Sequence, residues 1–192
     1  MTLANKITFS RIVLAFVFIF FLFCQGLASK VTALIIFVLA SLTDYYDGWL
    51  AKNRNQVSNL GKILDPIADK ILVLGAFISF VQLNIIEVWM VVLIFIREFI
   101  ITTLRAYALA ENKVLAASRA GKQKTVSQMA AIFFILLSII IKEYLIRASL
   151  WNASIDTIIH YSIYIVMDIA IILTLTSGLS YLWQNRKIIL RS

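Results

Sequence analysis

Three residue types that shape many soluble proteins are almost absent from this chain of 192 residues. It contains one cysteine, Cys24, one proline, Pro66, and one histidine, His160. A lone cysteine has no partner within the chain, which excludes a disulfide-stabilised scaffold. Charged residues make up only 15% of the sequence, whereas about a quarter is usual in soluble domains.

Apolar residues take the place of what is missing. They account for 61% of the chain, and the mean hydropathy is +0.92. They occur in blocks long enough to cross a hydrocarbon core, which takes about 20 residues in a helix. This pattern excludes a water-soluble enzyme and a disordered chain. It predicts an integral membrane protein.

Six apolar spans can be drawn, and together they predict one membrane domain over residues 1–192. The spans cover residues 12–27, 31–51, 63–83, 85–110, 125–141 and 157–183. Because backbone groups in lipid must be satisfied within their own segment, we expect an all-α integral membrane fold with six transmembrane helices. The first block lacks an A-x-A cleavage site, so we expect it to be retained as a span.

The net charge of +8 raises nucleic-acid binding as a hypothesis. No basic helix, aromatic RNA-binding pattern or zinc-ligand spacing supports that hypothesis. Membrane proteins keep excess lysine and arginine on the cytoplasmic side. With a cytoplasmic N-terminus, most basic residues between the spans fall on that side, and the opposite side has only Lys30, Lys142 and Arg147. We therefore expect both termini in the cytoplasm and no nucleic-acid partner. The absence of a transit segment favours the plasma membrane.

Acidic residues occur where the second span ends and the third begins. Asp44 and Asp47 are spaced i and i+3, and Asp65 and Asp69 are spaced i and i+4. Each pair therefore shares one face of its helix. The short polar connection predicts an antiparallel hairpin that brings both pairs to one cytoplasmic depth. Pro66 fits the first turn of the third helix, with Asp65 as its cap.

Four carboxylates at one membrane boundary would repel one another unless cations neutralised them. Hard divalent cations with oxygen ligands are the usual solution, and ionisable residues in spans mark functional sites by default. We predict two Mg²⁺ or Mn²⁺ ions here, an arrangement suited to phosphoryl chemistry. The alternative is that the aspartates cap helix ends and pair with Lys52, Lys62 and Lys70.

The segment from Asp44 to Asp69 resembles the signature of the CDP-alcohol phosphotransferase family, D-x2-D-G-x2-A-R-x8-G-x3-D-x3-D. The positions in register are Asp44, Asp47, Gly48, Ala51, Gly61, Asp65 and Asp69. One position departs from the pattern, because Lys52 stands where the family usually has arginine. Lysine keeps the charge but loses the planar fork that binds phosphate in a bidentate manner.

Further stretches extend this resemblance over most of the chain. Asn5, Thr8 and Arg11 fit the N-x2-T-x2-R opening of the family, which lies near the nucleotide. Residues 97–105 and 121–125 resemble the phosphatidylglycerophosphate synthases within the family. The resemblance implies six transmembrane helices, a cytoplasm-facing polar site and a homodimer.

The resemblance also implies a reaction, the transfer of a phosphatidyl group from CDP-diacylglycerol to an alcohol with release of CMP. Asp44, Asp47 and Asp65 would bind the metals. Asp69 would be a metal neighbour and also the general base that takes the proton of the acceptor hydroxyl. The residues expected at the CDP end of the donor are Asn5, Thr8, Gly48, Ala51, Lys52 and Gly61.

A phosphorylated acceptor such as glycerol 3-phosphate needs fixed cations to bind its phosphate. The candidates near the fourth and fifth spans are Arg105, Arg119, Lys122 and Lys124. For each of them, ordinary anchoring at the cytoplasmic surface is the alternative. Arg97 and Glu98 are adjacent and deep in the fourth span, so we expect them to pair with helix neighbours instead of touching substrate.

Two other functions remain as alternatives. The same chemistry could use another alcohol, inositol phosphate or serine, although the basic cluster argues against serine. A small cation transporter would also place acids in the membrane. However, the aspartates lie at one end only, and neither an inverted repeat nor an interrupted helix is visible. The sequence therefore favours the enzyme.

Overall fold

The computed structural model describes the backbone of residues 3–54, 59–110 and 119–189. It describes the side chains of residues 9–43, 70–108, 121 and 123–186. Within these ranges the chain forms helices and turns, and no strand occurs. The helices are α1 (Leu3–Phe23), α2 (Leu27–Arg54), α3 (Asn59–Gln82), α4 (Val88–Ala110), α5 (Arg119–Arg147) and α6 (Ala153–Ile189).

Each predicted span corresponds to one helix, but the predicted end of the first span was wrong. The apolar letters run on to Leu27, whereas α1 ends at Phe23 and Leu27 opens α2. Gly26 has a φ of 98°, which allows the chain to reverse there. Hydropathy does not register this turn, because the residues on both sides of it are apolar.

The start of the third helix was also predicted wrongly. We expected Pro66 in the first turn with Asp65 as the cap, but α3 begins at Asn59. Pro66 therefore lies inside the helix. Residues 59–62 are part of α3, although the apolar span drawn from the sequence begins only at residue 63.

Two helices end in the same hydrogen-bonded motif. After α3, the N–H groups of Asn84 and Ile85 donate to the carbonyls of Val81 and Phe80, both at 2.9 Å. Asn84 has a φ of 55°, as the residue after the helix has in a Schellman motif. Ser149 has the same φ after α5. These motifs satisfy the last carbonyls of each helix, which would otherwise be unpaired in an apolar setting.

The short connections place one end of α1 to α6 together, and we call this the turn end. It holds residues 24–26, 83–87 and 148–152. The opposite end is the site end, where α1, α3 and α5 begin and α2, α4 and α6 finish. At the turn end, the N–H of Ile155 donates to Oδ1 of Asn152 at 2.9 Å and caps the start of α6.

Helix α3 occupies a central place, since it contacts α1, α2, α4 and α5. Helix α6 packs on α4 and α5, and α2 packs on α1 and α5. Every helix contributes to one apolar core. Fully buried members include Phe18, Leu22, Phe77, Phe80, Met90, Ile94, Ile132, Ile135 and Met167.

The outer surface is apolar too, as expected for helices that face lipid. Large side chains such as Phe16, Ile158 and Leu179 are more than half exposed. Two stretches, Gln123–Arg147 and Ala153–Arg186, are long and apolar enough to cross a membrane. Only 28% of the most apolar window of each is buried, and the rest of its side chains are partly or fully exposed at the surface of the bundle. Shorter apolar stretches are Phe9–Phe23, Leu27–Thr43 and Lys70–Gln82.

We predict that two phenylalanines of α1 differ sharply in their effect on stability. Phe18 is fully buried and packs on Phe37 with ring centroids 5.7 Å apart, whereas Phe16 is 63% exposed. Phe18→Ala should lower the free energy of unfolding by about 3–5 kcal/mol, because it opens a cavity in the core. Phe16→Ala should cost less than about 1 kcal/mol. Unfolding in detergent measures both, and equal losses would contradict the assignment of these faces.

We also predict the orientation of the bundle from its lone cysteine. Cys24 follows α1 at the turn end, opposite the predicted cytoplasmic side. A membrane-impermeant maleimide added to intact cells should label Cys24. In a Cys24→Ser background, Ser58→Cys, between α2 and α3, should be labelled only after permeabilisation. The reverse pattern would show that the termini are outside.

Candidate functional site

The four aspartates fall on two neighbouring helices, as their spacing predicted. Asp44 and Asp47 lie in the last part of α2, and Asp65 and Asp69 lie in the first part of α3. Helices α2 and α3 contact each other. The backbone therefore carries both pairs at the site end of the bundle, while the aspartate side chains lie outside the described ranges.

Most of the other predicted site residues can be placed by backbone only. Asn5 and Thr8 lie in α1, Gly48, Ala51 and Lys52 in α2, Gly61 in α3, and Arg119 and Lys122 in α5. All of these positions are at the site end. Among the described side chains, no group of three or more His, Cys, Asp or Glu residues could hold a metal. The predicted metal ligands lie outside that set.

Glu98 of α4 is the centre of a partly buried ionic cluster. Its Oε1 accepts from Nη1 of Arg97 at 3.0 Å and is also in contact with Nζ of Lys124. The side chains of Glu98 and Lys124 are 13% and 12% exposed, so water screens the pair weakly. Arg97 and Glu98 therefore pair with neighbouring groups, as expected. The contact to Lys124 joins α4 to α5.

A second lysine reaches the same face of α4 from α3. Nζ of Lys70 donates to Oγ1 of Thr102. Glu98, Thr102 and Arg105 are spaced i, i+4 and i+7, so they form one stripe along α4. The guanidinium of Arg105 lies 5.8 Å from the centre of the Tyr181 ring in α6. One stripe of α4 thus contacts a lysine of α3, a lysine of α5 and a tyrosine ring of α6.

Arg97 is held on the other side of this cluster by α6. Its Nη2 donates to Oγ of Ser177 at 2.8 Å, and the residue is 8% exposed. Its Nε has no hydrogen-bond partner among the described atoms. Gly178 gives the side chain room, because a Cβ there would lie 3.0 Å from Cγ and 3.2 Å from Nε of Arg97.

Sequence reasoning missed several polar residues that tie these helices together. Nε2 of Gln128 in α5 donates to Oγ1 of Thr174 in α6 at 3.0 Å, and both residues are buried. Thr102 and Ser177 were also not singled out. The available signal was a hydrogen-bonding side chain within an otherwise apolar span, since such groups need partners in lipid.

A small cavity separates α3, α4 and α5 beside the ionic cluster. Its volume is about 20 Å³, and its polar lining comes from Lys70, Glu98, Lys124, Thr125 and Gln128. That volume is enough for about one water molecule. Of the four predicted acceptor-phosphate residues, Arg105 and Lys124 have described side chains. Lys124 faces this cavity, whereas Arg105 lies against Tyr181.

Comparison with known proteins identifies the family of the chain. The family described as CDP-alcohol phosphatidyltransferase matches residues 1–179. The chain belongs to this family. The resemblance predicted from Asp44 to Asp69 is therefore confirmed, and so is a membrane-bound helical enzyme of the transferase class.

Curated relatives within the CDP-alcohol phosphatidyltransferase family share one name or a synonym of it. A CDP-diacylglycerol--glycerol-3-phosphate 3-phosphatidyltransferase of Bacillus subtilis is 40% identical over 147 residues, covering 70% of this chain and 76% of that protein. A protein of that name from Rickettsia typhi is 36% identical over 163 residues, 82% of this chain and 91% of its own. A probable phosphatidylglycerophosphate synthase of Mycobacterium tuberculosis is 36% identical over 182 residues, 93% of this chain and 79% of its own.

We predict that a methyl group at Gly178 disrupts the Arg97 cluster. The stem of Arg97 is fixed by Ser177 and Glu98, so it has little room to move away from the new Cβ. Gly178→Ala should therefore lower the free energy of unfolding by about 1–3 kcal/mol. Gly121→Ala is the control, because nothing lies within 4 Å of a Cβ there. It should be neutral or stabilising by up to about 1 kcal/mol. Equal effects in detergent unfolding would contradict the crowding at Gly178.

Proposed function

We propose that this protein transfers the phosphatidyl group of CDP-diacylglycerol to glycerol 3-phosphate, giving phosphatidylglycerophosphate and CMP. The observation that carries this proposal is the similarity to enzymes of that name over most of the chain. The aspartates on α2 and α3 and the cationic cluster beside them supply the two kinds of group that the reaction needs. Inositol phosphate or serine as acceptor is less well supported, since the relatives' names specify glycerol 3-phosphate.

The donor set at the site end suits divalent cations. Asp44, Asp47, Asp65 and Asp69 offer hard oxygen ligands, which Mg²⁺ and Mn²⁺ prefer, and they lie on two helices in contact. We propose that these residues hold two such ions. When bound, the ions would neutralise the diphosphate and the charge that develops as the phosphoryl bond breaks.

Asp69 is proposed as the general base. It would accept the proton of the acceptor hydroxyl as that oxygen attacks the β-phosphorus of the donor. The new phosphorus–oxygen bond replaces the bond to CMP, whose phosphate oxygen takes the electron pair. Asp69 directly precedes Lys70, whose side chain faces the cavity beside the cationic cluster, so the backbone of α3 carries the proposed base next in the chain to a residue that lines this cavity.

The donor's CDP end is proposed to lie against the first three helices. The residues involved are Asn5, Thr8, Gly48, Ala51, Lys52 and Gly61. The glycines and the alanine would let a nucleotide approach the backbone closely. Lys52 would contribute a point charge instead of a bidentate contact.

Arg105, Arg119, Lys122 and Lys124 are proposed to bind the acceptor's phosphate. All four lie at the site end, on α4 and α5. Arginine and lysine are the usual phosphate ligands in proteins. Lys124 faces the cavity while paired with Glu98, so it is held in place within a half-buried environment.

We also propose the membrane topology and the oligomeric state of the protein. All six helices cross the plasma membrane, both termini and the site end face the cytoplasm, and two copies form a homodimer. The alternating helix directions and the concentration of basic residues at the site end support this topology.

The test is CMP release by the purified protein in detergent with CDP-diacylglycerol, Mg²⁺ or Mn²⁺ and one acceptor at a time. Glycerol 3-phosphate, inositol phosphate and serine are compared. We expect release with glycerol 3-phosphate only. Turnover with another acceptor alone would overturn the assigned acceptor, and no release with any acceptor would overturn the proposed function and favour the transport hypothesis.

We predict that Asp69→Asn lowers kcat with glycerol 3-phosphate by about 10²–10⁴-fold, as expected for a lost general base. Asp156→Asn is the matched control, because Asp156 lies at the turn end in an exposed pair with Lys142 at 2.8 Å. It should leave kcat unchanged. EDTA should abolish turnover, and added Mg²⁺ or Mn²⁺ should restore it. Retained turnover in Asp69→Asn would exclude this residue as the base.

A further inference from the structure

We infer that Glu98 is a positioning residue for the acceptor's phosphate. Its carboxylate holds the ammonium group of Lys124 at the cavity between α3, α4 and α5, facing the side chain of Lys70. This inference rests on the proposed function, since it assigns the region where the phosphate of that acceptor binds. Glu98 itself would not touch the substrate.

The ammonium group of Lys124 is fixed by Glu98. Lysine has a long flexible side chain, and holding it in one place costs conformational entropy. Here its Nζ contacts Oε1 of Glu98, and that same oxygen is fixed by Arg97 at 3.0 Å. Arg97 in turn is fixed by Ser177 on α6. The ammonium of Lys124 is therefore tied through Glu98 to the framework of α4 and α6.

Charge around Glu98 is unevenly divided among the described side chains. In the described part of the site end, three cations, Lys70, Arg97 and Lys124, gather around the one carboxylate of Glu98. Among the described side chains this cluster therefore carries more positive than negative charge, and little water screens it. A phosphate dianion complements that excess. A neutral alcohol or a zwitterion such as serine would not, so the cluster selects for a phosphorylated acceptor.

Lys70 links the proposed base to the cavity along the backbone of α3. Lys70 follows Asp69 directly and lines the cavity that Lys124 also lines. The backbone therefore places Asp69 next in the chain to a residue that lines the cavity, and we take an acceptor bound at Asp69 to extend towards Lys124. Glycerol 3-phosphate carries its attacking hydroxyl and its phosphate at opposite ends of three carbons. Its hydroxyl could therefore lie at the proposed base while its phosphate lies near Lys124. The cavity itself holds about one water molecule, so the side chains that line it would have to move apart to admit the phosphate.

The removal of the carboxylate has a definite consequence. Without Glu98, the cations from three helices would face one another in a poorly screened site, and they would repel. Lys124 would no longer be held at the cavity by a carboxylate of α4. The acceptor would then lose a fixed cation, while the aspartate-bearing helices would keep their places.

The experiment measures KM for each substrate in Glu98→Gln, which keeps the shape and removes the charge. KM for glycerol 3-phosphate should rise roughly 10- to 100-fold, as for a lost charge-assisted contact. KM for CDP-diacylglycerol should stay within about two-fold. Glu98→Asp keeps the charge and should give an intermediate KM. Glu143→Gln is the matched control, since Glu143 pairs with Arg147 at 3.6 Å at the turn end and should have no effect.

A charge-swapped protein separates positioning from simple stabilisation. The double variant Glu98→Lys with Lys124→Glu keeps an ion pair between α4 and α5 but moves the cation away from α5. We expect its unfolding temperature in detergent to recover relative to Glu98→Gln, while KM for glycerol 3-phosphate stays raised. A double variant with the original KM would show that only the ion pair matters and would overturn the inference.

Other outcomes are equally decisive. An unchanged KM for glycerol 3-phosphate in Glu98→Gln would overturn the inference, and so would a lowered one, because Glu98 would then withhold Lys124 from the substrate. A parallel rise in both KM values with a lower unfolding temperature would indicate a structural role only. Each of these results requires a wild type that turns over glycerol 3-phosphate. A wild type inactive with that acceptor would overturn the proposed function, and this inference with it.

Discussion

The need to neutralise charge inside an apolar bundle is the constraint on which the rest of this structure depends. Ionised groups are costly away from water, so they persist only with partners. Glu98 meets this need for Arg97 and Lys124 together, and the pairing joins α4 to α5. Ser177 extends the same network to α6. The polar contacts that neutralise charge therefore also set how three helices pack at the site end.

Helix α3 connects the two halves of the proposed site. Its first part carries Asp65 and Asp69, and its next residue, Lys70, faces the cavity and bonds to Thr102 of α4. The backbone of the proposed metal ligands and the side chain at the proposed acceptor site thus come from adjacent positions of one helix. This adjacency suits a reaction that joins a metal-bound diphosphate to a phosphorylated alcohol, because both anionic substrates need cations close to the bond being exchanged.

Small residues decide where this network can form. Gly178 lies against the stem of Arg97, and Gly75 lies where an added Cβ would be 3.0 Å from Cδ1 of Ile19. In lipid, helix packing depends on close approach and hydrogen bonds instead of exclusion from water. The absence of a side chain at Gly178 therefore allows the buried guanidinium of Arg97 to lie between α4 and α6.

The sequence by itself determined the number of helices, the family and the positions of the aspartates on α2 and α3. These follow from local properties, namely apolar length and residue spacing along a helix. It did not locate the turn at Gly26 or the start of α3 before Pro66, since apolar composition and a single proline do not mark those boundaries. Only the tertiary structure decided that Lys124 pairs with Glu98, that Lys70 reaches Thr102 and that Gln128 meets Thr174. Those contacts join residues 26 to 46 positions apart, and they depend on how the helices rotate and pack against one another, which no local pattern records.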